Sequence, residues 1–416
     1  MLGRLAVCLL LALPAAAHAA EFAPLDRPGP PLTAKAKLTC SPNVAGAARA
    51  PVLLNPATGV TVDENYDWNW VRALDARGIP WCKYDAPAHT LGDIQTSGEL
   101  LADAIRTVAG KAGRPIAVMG HSQGGMSMRW ALRFWPDTRT LVDDVIGFAG
   151  SNHGTTAMRG LDSACAQLGC MPASLQQSAG SAFIKAVNSG QETFAGVSYT
   201  NIYTRYDEVV TPPSSSELHT GDGAITNVTT QDLCPAELNE HLTVGTISPA
   251  AYALAIDALD HPGPASLARA DRSVCARPFM PGVDPANAGM YVKILSGAPG
   301  LASVPLPGVA LVDEPDLVRA EPPLRCYVLA AGCPAGTTPT ATSAPSTARR
   351  TCSSRRRFTI RVPRGARVKV AGKRVRVRKG RATVDLRGRR AETVAVRISA
   401  GDRSLTRRYR TCVKRR

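Results

Sequence analysis

The stretch Val118-Met119-Gly120-His121-Ser122-Gln123-Gly124-Gly125 decides the fold of this chain. The apolar run 115–119 predicts a buried parallel strand, and residues 126–134 predict a helix. Gly120-x-Ser122-x-Gly124 between a strand and a helix is the pattern of a nucleophile elbow, whose turn is so tight that both glycine positions must be nearly free of side chain. The stretch therefore predicts that Ser122 is an exposed nucleophile; a plain glycine-rich turn is the alternative.

Further candidate elements alternate in type along the chain. Short apolar runs predict strands at 51–54, 81–84, 142–148 and 201–203, while helical spacing predicts helices that begin near Trp68 and Glu99. Strands that alternate with helices are typical of a mostly parallel sheet covered on both faces, so the fold class is α/β.

The ends of the chain differ in composition from its middle. Residues 1–20 predict a secretory signal, with Arg4 before an apolar run and a small-x-small cleavage site at Ala17-His18-Ala19. No later run is expected to span a bilayer. Residues 331–350 are rich in Thr, Pro, Ala and Ser and predict a linker. We therefore expect an enzyme-like domain at 21–330, a separate domain at 351–416, and an exported protein.

Cysteine usage agrees with export. Ten cysteines remain after the signal, and an even number in an exported chain predicts five disulfides. The spacing does not resemble a zinc site, and no metal or organic cofactor is implied. The ten residues are Cys40, Cys82, Cys165, Cys170, Cys234, Cys275, Cys326, Cys333, Cys352 and Cys412.

Charge is concentrated in the last 66 residues. They hold 24 of the 49 basic and 3 of the 33 acidic residues, a balance of +21, which leaves 25 basic and 30 acidic residues, a balance of −5, in the other 350. Apolar and basic residues alternate in this tail, so we expect a small antiparallel β domain with a basic outer face, closed by Cys352 and Cys412.

The composition of the basic tail is compatible with three functions. It could tether the protein to an anionic cell wall or membrane surface, or it could be a solvated stabilising module. Nucleic-acid binding is disfavoured because Phe358 and Tyr409 are its only aromatic residues and the protein is expected to be exported. The oligomeric state stays open.

A serine nucleophile needs a base and a carboxylate, and after a nucleophile elbow the order along the chain is serine, acid, histidine. Asp207 follows a late candidate strand and is the candidate acid. The neighbouring Glu208 could compete for that role, or the segment could be a solvated acidic turn. Of the histidines beyond them, His219 and His261 have the sequence context of surface turns. The order leaves these two and His241, and the context favours His241 because it follows Cys234, whose disulfide would hold the loop.

The chain resembles lipases similar to Candida antarctica lipase B, a branch of the α/β-hydrolase fold, over about residues 40–316. The resemblance rests on Pro56-Ala57-Thr58-Gly59, Asp67-Trp68-Asn69-Trp70, Ser122-Gln123-Gly124-Gly125, the segment 201–210 and the segment 234–241. It implies Ser122 as nucleophile, Asp207 as acid and His241 as base, with backbone N–H groups of Thr58 and Gln123 and the Thr58 hydroxyl as an oxyanion hole. It also implies the disulfides Cys40–Cys82 and Cys234–Cys275.

Three departures from that family bear on the substrate. His121 stands where the family has tryptophan before the serine, and we expect it at the floor of the alcohol pocket. His153, in Ser151-Asn152-His153-Gly154-Thr155, is expected either to line the pocket mouth or to be a structural histidine. Residues 161–171 contain Cys165 and Cys170, which predict a small disulfide loop over the entrance.

These observations predict a secreted serine ester hydrolase, namely a lipase that cleaves acylglycerols or similar apolar esters through an acyl-enzyme on Ser122. A non-lipase carboxylesterase or polyester hydrolase is the second hypothesis. A non-catalytic cell-surface-binding protein is the third, and it requires the serine, acid and histidine to coincide by chance.

Overall fold

A computed structural model describes residues 21–158, 162–284, 286 and 315–333, and in the C-terminal part residues 357–363, 366–371, 373–387, 393–400 and 403–410. The chain divides into two compact units, Met1–Ser343 and Ala344–Arg416. The expected signal, most of the expected linker, and both Cys352 and Cys412 lie outside the described residues.

The first unit is built on a seven-stranded sheet in the order β1-β3-β2-β4-β5-β6-β7. Only β1 runs antiparallel, beside β3, so the prediction of a mostly parallel sheet is confirmed. Two edge strands, β1 and β7, were not anticipated from the sequence. The strands are β1 Leu38–Cys40, β2 Val52–Asn55, β3 Trp81–Tyr84, β4 Ile116–His121, β5 Val142–Phe148, β6 Ser198–Tyr203 and β7 Ala224–Thr229.

Helices cover both faces of this sheet because its strands are apolar on both sides. In β4, Ile116 and Val118 join one buried cluster, whereas Ala117 and Met119 join the other. The alternation follows from the two-residue period of a strand. The helices are α1 Val62–Tyr66, α2 Trp70–Ala76, α3 Ile94–Ala112, α4 Gln123–Phe134, α5 Asp162–Leu168, α6 Pro172–Gln176, α7 Ala182–Val187, α8 Thr230–Leu233, α9 His241–Val244 and α10 Pro249–Asp260.

The segment that contains α9 and α10 corrects one expectation. His241–Asp260 is long and apolar enough by composition to cross a membrane, although no later run was expected to be so. About 78% of its apolar window is buried inside the unit, where Leu254 and Ala255 join the core cluster on one face of the sheet. The apolar composition therefore reflects a helix packed in the core on nearly all sides.

The ends of the first unit pack against each other. Ala23 donates its backbone N–H to Val328, and the Arg27 guanidinium donates to the carbonyls of Leu329 and Ala330. Cys333, at the start of the expected linker, is bonded to Cys326 and packs against the core. The folded unit therefore includes at least the first three residues of that segment.

Four disulfides lie within the described residues. One joins directly opposed residues of β1 and β3, and another closes a five-residue separation at the C-terminal end of α5. They are Cys40–Cys82, Cys165–Cys170, Cys234–Cys275 and Cys326–Cys333. Two of these pairs are the ones that the family resemblance implies.

The second unit contains two antiparallel sheets, of the orders β10-β9-β13-β14 and β11-β12-β8. Val368 and Val370 are buried while Arg367 and Lys369 are exposed, so β9 has one apolar and one basic face. The antiparallel β prediction is confirmed. The strands are β8 Arg357–Arg361, β9 Arg367–Val370, β10 Lys373–Val375, β11 Val377–Arg378, β12 Arg381–Asp385, β13 Thr393–Ala400 and β14 Arg403–Arg410.

Two glycines of α3 predict opposite effects on stability. A Cβ on Gly98 would lie 2.3 Å from the buried indole of Trp130, whereas a Cβ on Gly110 would meet nothing within 4 Å. We expect Gly98→Ala to lower the free energy of unfolding by about 1–3 kcal/mol through overpacking. Gly110→Ala should raise it by about 0.5–1 kcal/mol, because alanine loses less backbone entropy in a helix. Urea unfolding monitored by tryptophan fluorescence measures both, and equal stability of the two variants would contradict the packing of α3 on α4.

Candidate active site

Ser122 lies in the turn between β4 and α4 with φ of 55° and ψ of −124°, a conformation that non-glycine residues rarely adopt. A Cβ on Gly120 would lie 2.3 Å from the carbonyl oxygen of Gly124, and one on Gly124 would lie 2.4 Å from that of Asn55. Side chains at these two positions would push the turn apart. The two glycines therefore permit the close approach that holds Ser122 in its strained conformation.

A chain of two hydrogen bonds leads from Ser122 to Asp207. His241 Nε2 is 3.0 Å from Ser122 Oγ, and His241 Nδ1 is 2.8 Å from Asp207 Oδ2. The second carboxylate oxygen, Oδ1, accepts the backbone N–H groups of Val209 and Val210 at 3.0 and 2.7 Å. Because these bonds fix the carboxylate, Nδ1 carries a proton and Nε2 is free to accept the one from Ser122.

The two neighbouring acidic residues contact different parts of His241. Asp207 contacts the ring, whereas Glu208 Oε2 accepts the backbone N–H of His241 at 3.3 Å. Glu240, the residue before the histidine, caps α9 by accepting the backbone N–H groups of Leu242 and Thr243. Asp207 therefore is the acidic residue that contacts the His241 ring, and Glu208 holds the backbone of His241.

The charges around His241 raise the pKa of its imidazole. Burial by itself lowers the pKa of this imidazole, but the Asp207 carboxylate outweighs burial, with help from the charges of Glu208 and Glu240, and raises the pKa above its ordinary value. The imidazolium that forms when His241 takes a proton is therefore stabilised by nearby negative charge.

Of the two residues expected to supply the oxyanion donors, Thr58 lines the same cavity as Ser122, and Gln123 is the buried residue that follows Ser122. Gln123 Nε2 and Gln177 Nε2 both donate to the Thr58 hydroxyl oxygen, at 3.0 and 3.1 Å, so the hydroxyl proton is left to donate elsewhere. No hydrogen bond joins the backbone N–H of Thr58 or of Gln123 to another group within the described residues. Their role as an oxyanion hole stays a prediction.

The cavity at Ser122 is open to solvent, and its volume, with the open part included, is about 610 Å³. One part of its lining is apolar and another part carries hydroxyl and amide groups. The apolar residues are Ala57, Met158, Val209, Val210 and Leu242, and the polar ones are Thr58, Ser151, Thr155, Ser174 and Gln177.

Neither histidine that was expected at the pocket lines this cavity. His121 is 1% exposed and lies behind His241, where its Nε2 contacts the backbone carbonyl oxygen of His241 at 2.9 Å. His153 is turned away because its Nε2 is 2.5 Å from Glu192 Oε1, a carboxylate that also accepts backbone N–H groups of His219 and Thr220. For His153, this geometry is that of the structural alternative.

Comparisons with known proteins find that this chain is similar to lipases. A model of the family "Lipase (class 2)" matches residues 99–246, which include Ser122, Asp207 and His241. Lipase B of Pseudozyma antarctica is 32% identical over 182 residues, which are 44% of this chain and 52% of that protein. The chain is similar to lipase B. The crystal structure of Aspergillus fumigatus lipase B has a TM-score of 0.60, is 29% identical and covers 70% of each chain.

The likeness to lipase B confirms the expected α/β-hydrolase fold and the resemblance read from the sequence. The match spans only about half the length of the curated relative. The basic C-terminal unit, beyond residue 343, lies outside the range that the family model matches.

Sequence reasoning missed Gln177 and Thr90. Gln177 holds the Thr58 hydroxyl, and the carbonyl oxygen of Thr90 accepts from Gln123 Nε2 at 3.0 Å. Glutamine and threonine at these positions belong to no motif, and they reach the site only because α6 and the turn before α3 fold over it. The N-cap of α9 has a weak signal in the sequence, because the polar residue Glu240 stands three positions before Thr243.

The pKa of His241 predicts the pH at which Ser122 becomes reactive. His241 can accept the serine proton only when it is neutral, so reactivity should rise with pH through a pKa that lies above the ordinary value of about 6.5. We expect the rate of Ser122 labelling by a fluorophosphonate to reach half its maximum above about pH 6.5. Asp207→Asn removes the charge that raises this pKa, so the half-maximal pH should fall and the maximal rate should drop by roughly 10⁴.

Glu208→Gln is the matched control for Asp207→Asn. Its amide oxygen can still accept the backbone N–H of His241, and the Asp207 carboxylate stays on Nδ1, so the half-maximal pH should fall by less. A half-maximum that does not move in Asp207→Asn, or that moves further in Glu208→Gln, would contradict the assignment of Asp207.

Proposed function

We propose that the chain is a serine hydrolase of carboxylic esters, and that it acts as a lipase on acylglycerols and similar apolar esters. The observation that carries this proposal is the hydrogen-bonded chain from Ser122 through His241 to Asp207 beside a cavity. A serine next to a base that a carboxylate orients is the arrangement that activates a hydroxyl toward an ester carbonyl. The similarity to lipase B and to class 2 lipases supports the same activity.

In this mechanism, Ser122 Oγ attacks the ester carbonyl carbon while His241 Nε2 takes the hydroxyl proton. Asp207 keeps the imidazole in the required tautomer and stabilises its positive charge. The backbone N–H groups of Thr58 and Gln123 and the Thr58 hydroxyl stabilise the oxyanion, a contribution of roughly 3–4 kcal/mol for such a donor. His241 then gives the proton to the departing alcohol, and a water molecule activated by the same imidazole releases the acid from Ser122.

The substrate class follows from the apolar part of the lining. Met158, Val209, Val210 and Leu242 offer hydrocarbon contacts next to the nucleophile, and an acyl chain in contact with them leaves water. Such a lining favours fatty acyl esters over charged or strongly polar esters.

A carboxylesterase or polyester hydrolase is the second candidate, and the polar part of the same lining favours it. Ser151, Thr155 and Ser174 bring hydroxyl groups to the cavity, which suits shorter acyl groups or esters with further oxygen atoms. Both candidates use the same three catalytic residues and differ only in the ester that is cleaved.

We also propose that the protein is exported and that its basic unit binds an anionic surface. Four disulfides support an oxidising compartment. In the second unit, Val368, Val370 and Val384 belong to a buried core, and the exposed residues of the same strands include Arg367, Lys369 and Arg381. Such a surface attracts anionic lipid or cell-wall polymer by a long-range, salt-sensitive force.

The catalytic proposal is tested with a fluorophosphonate probe and a set of esters. Wild type should be labelled on Ser122 and should hydrolyse p-nitrophenyl esters, whereas Ser122→Ala should lose both activities. A lipase should be most active on long-chain esters and on emulsified triglyceride, while a preference for acetate or butyrate favours the carboxylesterase. Unlabelled wild type, or equal labelling of Ser122→Ala, would refute catalysis by this serine.

The binding proposal is tested by ending the chain after Arg350. The full chain should sediment with vesicles of anionic phospholipid at low salt, and binding should fall as salt is raised. The shortened chain should lose this binding and keep its rate on a soluble ester. Equal binding by both chains, or binding that does not respond to salt, would refute the proposal that the basic unit binds an anionic surface.

A further inference from the structure

His121 is the last residue of β4 and directly precedes Ser122. Its ring is buried, and its Nε2 lies 2.9 Å from the backbone carbonyl oxygen of His241. Because a carbonyl oxygen can only accept, the proton is on Nε2, and His121 is the donor. The residue thus contacts the backbone of the base from the segment that carries the nucleophile.

The backbone of His241 depends on contacts from outside its own helix. Helix α9 has four residues, and a helix of one turn is not stable by its own hydrogen bonds. Three side chains hold it at main-chain atoms: Glu208 accepts from the N–H of His241, His121 donates to the carbonyl of the same residue, and Trp70 Nε1 donates to the carbonyl of Gly245 at 2.9 Å.

The His121 ring also fills the space beneath the end of this helix. A Cβ on Gly245 would lie 2.4 Å from the ring, and the His121 and His241 ring centroids are 5.3 Å apart. Burial, together with the nearby charge of protonated His241, lowers the pKa of His121 to about 4, so the ring is neutral at ordinary pH. It can therefore hold His241 without adding a positive charge beside it.

We propose that His121 is a positioning residue, whose Nε2–H holds the main chain of His241 so that the base stays within hydrogen-bond reach of Ser122. The inference rests on the proposed function and replaces the expectation that His121 contacts the alcohol part of the substrate. Since His121 and Ser122 are adjacent in the chain, one rigid segment fixes both the nucleophile and the backbone of the base. His121 therefore acts on catalysis through His241 and does not touch the ester.

The test compares His121→Met with His121→Gln in the full chain. Methionine and glutamine have similar length and volume, but only glutamine carries an N–H that can reach the carbonyl of His241. On a soluble p-nitrophenyl ester, we expect kcat to fall roughly 10- to 100-fold in His121→Met, the range expected when a reacting group is misplaced, with KM within about twofold. His121→Gln should recover kcat to within about threefold of wild type.

Two further measurements separate positioning from a general loss of stability. The low-field NMR resonance of the His241 Nδ1 proton should shift or broaden in His121→Met and return in His121→Gln. Tyr327→Phe is the matched control because it removes a buried hydroxyl that bonds to Glu99 and Trp130 in the core, away from the cavity. It should lower the melting temperature without lowering kcat.

The measured outcomes test the role of His121 separately from the proposed hydrolase function. A wild-type kcat in His121→Met, or an equal loss in the methionine and glutamine variants, would overturn the role of the Nε2–H while Ser122 labelling stays intact. A KM change without a kcat change would assign His121 to the substrate pocket instead. Unlabelled wild type would refute the function itself. Should His121→Met not fold, His121→Asn replaces it, because its amide is one carbon too short to reach the carbonyl.

Discussion

The active site depends on how closely two main-chain segments approach each other around Ser122. The carbonyl of Gly124 occupies the space where a side chain at Gly120 would lie, and Gly124 in turn packs on the carbonyl of Asn55 at the end of β2. This contact brings the Ser122 turn against the loop that carries Thr58. Without it, Ser122 and Thr58 could not line one cavity.

The base reaches this turn from a distant part of the chain. His241 lies 119 residues after Ser122, on a helix of a single turn, and its position is set by hydrogen bonds to its own main chain and ring. Asp207 and Glu208 contact it from one loop, and His121 contacts it from the serine segment. Negative charge on the acidic side raises the pKa of the His241 imidazole, while the His121 ring on the other side stays neutral because burial lowers its pKa.

Five strands of the first sheet and three of its covering helices were predicted from local patterns, whereas Asp207 and His241 were chosen from chain order, sequence context and the family resemblance. β4 and α4 are strong signals because an apolar run, a glycine pair and a helical spacing follow one another without a gap. The edge strands β1 and β7 were missed because β1 is short and β7 is only partly buried, so neither has an apolar run that indicates a strand. Their backbone pairing with β3 and β6 makes them strands. The expected domain limits stay predictions, since most of residues 331–350 lies outside the described part.

The tight turn at Gly120-His121-Ser122-Gln123-Gly124 was predictable from the sequence, because only small residues allow it and that requirement is local. The roles of Ser122 as nucleophile, Asp207 as acid and His241 as base stay predictions. Only the tertiary structure decided where His121 and His153 lie. Whether a histidine faces a cavity or the core depends on partners 39 and 120 residues away, Glu192 and the carbonyl of His241, and no local pattern encodes such contacts.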